Sequence, residues 1–134
     1  MVIYRPGIGT LQGSANLVPN SVTLTAAASI TAPALVNIAS NFTFSPASAA
    51  AGLAANGFVS KDVLAGESAT VFLTGIMEGL AGLTGQQVFL SDTSPGGITE
   101  TPPSIGSGDF VQQVGIGLSA TAMFFLPGQM DGPL

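Results

Sequence analysis

The chain of 134 residues has no cysteine and no histidine, and it has only nine charged side chains. A typical soluble domain is about one quarter charged, so most of the usual ionic side chains are missing. The lack of cysteine excludes disulfides, thiolate catalysis and thiolate metal sites. The lack of histidine removes the commonest general acid or base at neutral pH. We therefore expect neither an enzyme nor a site for a cofactor or small-molecule substrate.

Basic residues are the scarcest charged type, because Arg5 and Lys61 are the only two and the net charge is −5. Nucleic-acid phosphates and anionic membrane surfaces both attract clusters of Lys and Arg. Neither is therefore an expected partner. No run reaches the roughly 18–20 apolar residues of a membrane-spanning helix. No secretory signal is expected at the start, since Pro6 and Gly7 interrupt it.

Small and uncharged residues take the place of the missing ones. Hydrophobic residues make up 46% of the chain, and 18 glycines accompany them. This length and composition predict one domain with a core of small side chains. Surfaces with few charges are suited to close contact between proteins, because the cores of such interfaces are depleted in charged residues. The composition therefore favours a structural protein that forms assemblies.

The chain divides into an N-terminal arm (1–20), a body (21–127) and a C-terminal tail (128–134). Prolines and glycines interrupt the arm, so it cannot bury enough surface to fold alone. It is either a disordered terminus or an arm that orders against a neighbouring subunit. The second alternative is preferred, because the arm has more apolar residues than a solvated tail needs. Its predicted interface residues are Val2, Ile3, Tyr4, Arg5, Leu11 and Leu17.

The body is predicted to be all-β, as a small β-sandwich or barrel. Short alternating segments recur about every ten residues, with Gly or Pro between them. Residues 47–55 are predicted as one or two helical turns or as coil. The predicted strands are 22–25, 35–38, 42–44, 58–59, 68–74, 87–91, 111–119 and 122–126, and residues 75–85 are predicted as strand and turn rather than helix.

The alternation near residue 115 predicts two different faces of one strand. Val114, Ile116 and Leu118 form the predicted apolar face, and Gly115 and Gly117 lie opposite. Glycine within a strand allows another backbone or a ring to approach closely. That close contact is either within the chain or between subunits, and Gly115 and Gly117 are candidate subunit-packing residues.

The acidic residues predict no catalytic or metal site. Glu67 and Glu78 flank the strand predicted at 68–74, and nothing in their spacing brings them into one cleft. Lys61 and Asp62 are expected to be a solvated surface pair. Asp92 is predicted to cap a turn, because calcium requires six to eight oxygen ligands and one acid among hydroxyls does not supply them.

Several glycine-rich segments together resemble a known group of proteins. They are Gly57-Phe-Val-Ser, Ala65-Gly-Glu-Ser-Ala-Thr-Val, Gly82-Leu-Thr-Gly, Val88-Phe-Leu-Ser-Asp-Thr, Pro95-Gly-Gly-Ile-Thr and the run from Val111 to Thr121. In these segments the chain resembles the capsid cement or decoration proteins of tailed bacteriophages. The module is also similar to domains of phage head and tail fibres. With Ala34-Leu-Val-Asn-Ile as its first strand, the resemblance covers about residues 31–126, and the first thirty residues have no counterpart.

The resemblance implies a structural role on the virion. Such proteins bind the outer surface of the assembled capsid, often as trimers at local three-fold positions, and stabilise the shell against the pressure of the genome. The implied partners are the major capsid protein and further copies of this chain in a homotrimer. A fibre or spike module that contacts the host surface is the alternative.

Overall fold

A computed structural model describes residues 20–134. This part of the chain is all-β, as predicted, and contains ten strands and no helix. The predicted arm, except Asn20, lies outside the described residues. The strands are β1 (Ser21–Ala26), β2 (Ala34–Ala39), β3 (Thr43–Pro46), β4 (Gly57–Val59), β5 (Ser68–Phe72), β6 (Gly75–Met77), β7 (Gln87–Leu90), β8 (Ile98–Thr99), β9 (Gln113–Ser119) and β10 (Ala122–Phe125).

The first five strands close into a barrel in the order β1-β3-β2-β4-β5. The longest ladder joins β1 and β5, which run antiparallel from the pair Ser21–Phe72 to the pair Thr25–Ser68. The ladder of β1 with β3 is parallel and pairs Thr25 with Thr43. Closure pairs every strand on both sides, so this half of the molecule has no sheet edge.

The other five strands form an open antiparallel sheet in the order β8-β7-β9-β10-β6. Strand β9 is central and pairs with β7 on one side and with β10 on the other. The sheet packs against the outside of the barrel, so one of its faces is turned inward and the other outward. Strands β8 and β6 lie at the two ends of this sheet.

Two strands, β2 and β4, contribute to both hydrophobic cores. In β2, Val36 packs inside the barrel, whereas Leu35 packs between the barrel and the sheet. In β4, Val59 packs inside the barrel, whereas Phe58 packs between the barrel and the sheet. Because each face of these strands meets a core, the segments Ala34–Val36 and Gly57–Val59 are buried without interruption. This explains why they read as continuous apolar runs.

Residues 47–55 are in coil and turn conformation, the second of the two predicted alternatives. Ser48 and Leu53 close a tight loop by exchanging two backbone hydrogen bonds of 2.9 Å. The alanines at 47, 49 and 55 are buried and fill the narrow space beside the sheet. Small side chains are therefore required here by packing, and helix propensity does not decide the conformation.

The predicted C-terminal tail packs back on the body. The backbone N–H and C=O of Asp131 pair with those of Val111, and the N–H of Leu134 donates to the carbonyl of Asp109. The N–H of Gly108 donates to the carbonyl of Leu134. These contacts fix both the tail and the loop that precedes β9.

Gln112 is the largest buried polar side chain among the described residues and is 2% exposed. Its Oε1 accepts the N–H of Ala55 at 2.8 Å. Its Nε2 donates to the carbonyls of Ala55 at 3.0 Å and of Gly128 at 2.9 Å. Gln112 thus joins the 47–55 loop and the tail to the sheet.

Candidate functional site

The predicted site residues fall in two groups. Val2, Ile3, Tyr4, Arg5, Leu11 and Leu17 lie outside the described residues, so their contacts stay predictions. Gly115 and Gly117 lie in β9 and are buried. The site that can be built from the described residues is therefore the sheet that contains β9.

Both glycines face atoms of their own chain. A Cβ at Gly115 would collide with the carbonyl oxygen of Phe124 and lie 2.5 Å from Cε of Met123, and a Cβ at Gly117 would lie 3.2 Å from Cα of Gly85. The requirement for glycine therefore arises from packing within the chain, which was one of the two alternatives. In the single chain neither glycine presents a free surface to a second subunit.

The predicted apolar face of β9 divides between the two sides of the sheet. Gln113 pairs with Phe89 and Gly115 pairs with Val88, so β9 has one extra residue, Val114, at this point. Such a β-bulge shifts the alternation of the strand. Val114 is buried, whereas Ile116 and Leu118 are exposed. The prediction that these three side chains share one face is wrong because of the bulge.

The outward face of the sheet carries an apolar row across three strands. Ile76 of β6 pairs with Phe124 of β10, and Phe124 pairs with Ile116 of β9. Leu118 and Leu126 lie beside this row, and the five side chains are 39–61% exposed. We call Ile76, Ile116, Leu118, Phe124 and Leu126 the apolar face. None of the five is charged, and clusters of this kind on a protein surface mark contact sites.

The sequence pattern contained one signal for this face. The glycines of β9 alternate with branched residues, and the glycines lie on the tightly packed side of the sheet. The branched residues Ile116 and Leu118 are then left on the other side. The predicted face was wrong because it assumed that side chains alternate between the two sides of β9 without interruption at Val114.

The turn between β2 and β3 carries an exposed hydrophobic residue that lies outside the apolar face. Phe42 is 79% exposed and has a φ of 58°, after Asn41 with a φ of 66°. Left-handed backbone conformations are costly for bulky residues. The turn is fixed by hydrogen bonds from Thr25 N to the Phe42 carbonyl and from Thr43 Oγ1 to the Ser40 carbonyl.

The charged residues at 61–67 line a shallow groove on the barrel. Its volume is about 380 Å³, and its lining includes Lys61, Asp62 and Glu67 together with hydroxyl groups of β1 and β5. Asp62 Oδ1 accepts the N–H of Ala32 at 2.8 Å, and Glu67 Oε1 accepts the N–H of Leu64 at 3.0 Å. Both carboxylates therefore hold backbone turns. Residues 20–134 contain no group of three or more acidic side chains placed to bind a metal.

The turn at 91–97 is capped by a different residue from the one predicted. The hydroxyl of the buried Ser91 accepts the N–H groups of Thr93 at 3.1 Å and Ser94 at 3.0 Å. A serine hydroxyl can hold a turn in the same way as an Asp carboxylate. Ser91, one residue earlier, therefore has the role that was assigned to Asp92.

Glu100 fastens the loop after β8 to the turn before β7. Its Oε2 accepts the N–H of Thr84 at 2.9 Å, and its Oε1 accepts the hydroxyl of Thr84 at 2.9 Å. The N–H of Gln86 adds a longer bond of 3.4 Å. The backbone hydrogen bond from Thr84 is the main cause that holds the pKa of Glu100 below its ordinary value.

We expect Glu100 to make folding sensitive to acid. Because its pKa is lower in the folded state, the stabilisation is present above the unfolded value of 4.5 and is lost as the pH falls through the folded pKa. Glu100→Gln should therefore lower the melting temperature at pH 7 and should flatten its decline below pH 4.5. Thermal melts followed by circular dichroism at several pH values test this. Asp131→Asn, at an exposed position, is the control, and an equal change in both variants would contradict the assignment.

Comparison of the chain with family models, with curated proteins and with solved structures found no match. In the range 20–134 there is no helix of the length and apolar character needed to cross a bilayer. The interpretation of function therefore depends on the geometry of the apolar face and on the residues that resemble phage proteins.

Proposed function

We propose that this protein is a structural component of a bacteriophage virion that binds the outer surface of the capsid and stabilises the shell. The observation that carries the proposal is the apolar face, an uncharged row of large side chains on an ordered sheet. The segments that resemble cement proteins include β7 and β9, which build this sheet. Low overall charge also favours protein partners over nucleic acid.

The proposed mechanism is burial of the apolar face against the major capsid protein. Each of its side chains gains about 1 kcal/mol or more when its exposed half leaves water. Part of this gain offsets the loss of translational and rotational freedom on binding. Because the face has no charged residue, the affinity should change little with salt concentration. Association into a homotrimer would multiply the number of contacts made by one particle and so increase the avidity.

Co-sedimentation with assembled shells of the phage that encodes the chain tests this proposal. We expect saturable binding to the expanded shell, with hundreds of copies per particle. The double variant Ile116→Thr, Phe124→Thr removes two members of the apolar face but keeps residues that suit a strand. Its binding should weaken at least tenfold, which corresponds to about 1.4 kcal/mol.

The control for this experiment is Leu64→Thr, which removes an exposed leucine from the loop between β4 and β5. It should bind shells like the unaltered protein. Circular dichroism checks that all variants are folded. Equal binding of the double variant and the unaltered protein would contradict a role for the apolar face, and no binding by the unaltered protein would contradict the cement function.

A fibre or spike module that contacts the host surface is the second candidate. The groove beside Lys61 and Asp62 favours it, because hydroxyl and carboxylate groups line one cavity of about 380 Å³. Polar groups that converge in a groove are suited to a sugar. Counting copies per virion distinguishes the candidates, because a fibre module is present in a few copies at a vertex or tail.

A further inference from the structure

The end of the open sheet at β6 is unpaired within the described chain. Strand β6 pairs with β10 through three residues, Gly75, Ile76 and Met77. No other strand of residues 20–134 pairs with its outer side. An unpaired strand presents backbone N–H and C=O groups to any segment that can add a further strand. The barrel half of the molecule has no such edge.

A surface cavity lies beside this edge. It has a volume of about 250 Å³ and is lined by Phe58, Ser60, Phe72, Thr74, Gly75 and Ile76. The ring of Phe72 stacks on that of Phe58 with centroids 5.3 Å apart, and Phe58 meets Phe125 edge-on at 5.4 Å. Phe72 remains only partly buried. Phe72 is therefore the member of this aromatic cluster that lines the cavity and stays partly exposed where β6 ends the sheet.

The N-terminal segment leaves the body close to the same edge. The carbonyl of Asn20 accepts the N–H of Leu73 at 2.7 Å, and Leu73 lies two residues before β6. Fourteen residues separate Arg5 from Asn20. A stretch of that length spans at most about 50 Å. Residues 2–5 can therefore reach β6 of their own chain or of an adjacent copy.

We propose that residues 2–5, Val-Ile-Tyr-Arg, bind along the outer side of β6 as an added parallel strand. In this register Ile3 lies opposite Ile76 and extends the apolar face by one strand. Arg5 then lies opposite the exposed Glu78, which directly follows β6. Val2 lies opposite Gly75, on the side of the cavity. The antiparallel register that pairs Ile3 with Ile76 would place Met1 opposite Glu78 and leave Arg5 beside Thr74.

The distribution of charge along the chain also favours the N-terminal segment as the strand that binds β6. Arg5 is one of two basic residues in the chain, and all seven acidic residues lie in the range 20–134. Residues 1–19 contain no acidic residue, so this segment is the positively charged part of the molecule. Opposite charges on neighbouring strands stabilise their pairing, and like charges oppose it. The proposal goes beyond capsid binding, because it concerns how the chain completes its own sheet.

Disulfide trapping in the full-length chain tests the register. The chain has no cysteine, so any disulfide comes from the two introduced residues. Opposite residues on paired strands lie within the Cα distance of a disulfide, about 4.4–6.8 Å. We expect Ile3→Cys with Ile76→Cys to form the bond in most molecules under mild oxidation. The control, Ile3→Cys with Thr99→Cys, places the second cysteine in β8 at the other end of the sheet.

Gel mobility without reductant identifies the chain that supplies the segment. A disulfide within one chain gives a band at the mass of the monomer, whereas a disulfide between two copies gives a band at the mass of the dimer. Either result supports the docking site at β6. Equal yields at β6 and β8, or no bond at β6, would overturn it. Shell binding is measured separately by co-sedimentation, so a failure here is distinguishable from a failure of the proposed function.

A charge exchange tests the pairing of Arg5 with Glu78. In the background of Ile3→Cys with Ile76→Cys, Arg5→Glu should slow disulfide formation several-fold because it places two acids opposite each other. Adding Glu78→Arg should restore the rate. A rate that stays low in the exchanged pair would overturn the parallel register. Because Glu78 is exposed, its replacement should leave the protein folded. Circular dichroism checks that each variant is folded, so that a slow reaction can be assigned to the charges.

Discussion

Replacing Gly115 with alanine is expected to lower the free energy of unfolding by about 3 kcal/mol, at the upper end of the usual cost of overpacking. The added methyl group would collide with the carbonyl oxygen of Phe124 and crowd Cε of Met123. Met123 can move, but the carbonyl belongs to the backbone of β10, which is paired with β9. The ladder between β9 and β10 would have to separate at this point.

Urea unfolding followed by circular dichroism measures this effect. Ile116→Ala is the matched control, since Ile116 is the next residue and points outward; a loss below about 1 kcal/mol is expected there. Gly117→Ala should give an intermediate loss, because its nearest neighbour is Cα of Gly85 at 3.2 Å. If Gly115→Ala unfolds at the same urea concentration as the unaltered protein, the pairing described for β9 is incorrect.

Replacing Gln112 with leucine is expected to cost about 2–4 kcal/mol, although the volume of the side chain is nearly unchanged. The backbone N–H and C=O of Ala55 and the carbonyl of Gly128 would all lose their partner. Buried polar groups without a hydrogen bond cost about 1–3 kcal/mol each, and partial access of water reduces the sum. The loss should appear as a lower urea midpoint.

Gln113→Leu is the control for this prediction. Gln113 is the adjacent residue and is only half-buried, so its replacement should change the free energy of unfolding by less than about 1 kcal/mol. Similar losses for both variants would contradict the assignment of Gln112 as the residue that joins the 47–55 loop and the tail to the sheet.

The strands themselves could be predicted from local pattern, and their arrangement could not. Alternation and Gly or Pro punctuation predicted segments that overlap nine of the ten strands. The two-residue strand β8 was missed because Ile98 and Thr99 are too short a segment to show a period. The parallel pairing of β1 with β3, which closes the barrel, depends on contacts between distant parts of the chain. No local feature of Thr25 or Thr43 specifies that pairing.

The candidate site was predicted in part. Glycines 115 and 117 were correctly identified as positions of close approach, but the sequence left open which surface approaches them. The outward position of Ile116 depends on the extra residue Val114, and the alternation of the sequence does not show this β-bulge. Without the bulge, Ile116 would point into the core. The sequence therefore did not show that Ile116 and Leu118 are exposed while Val114 is buried.

Because β2 and β4 contribute side chains to both hydrophobic cores, they couple the unfolding of the barrel to that of the open sheet. Leu35 and Val36 are neighbours in the chain but belong to different cores. If the open sheet separated from the barrel, Leu35 and Phe58 would be left on the barrel surface. If the barrel opened, the sheet would lose the surface that it packs against. Neither half is an independent folding unit, so the molecule is expected to melt in one cooperative transition.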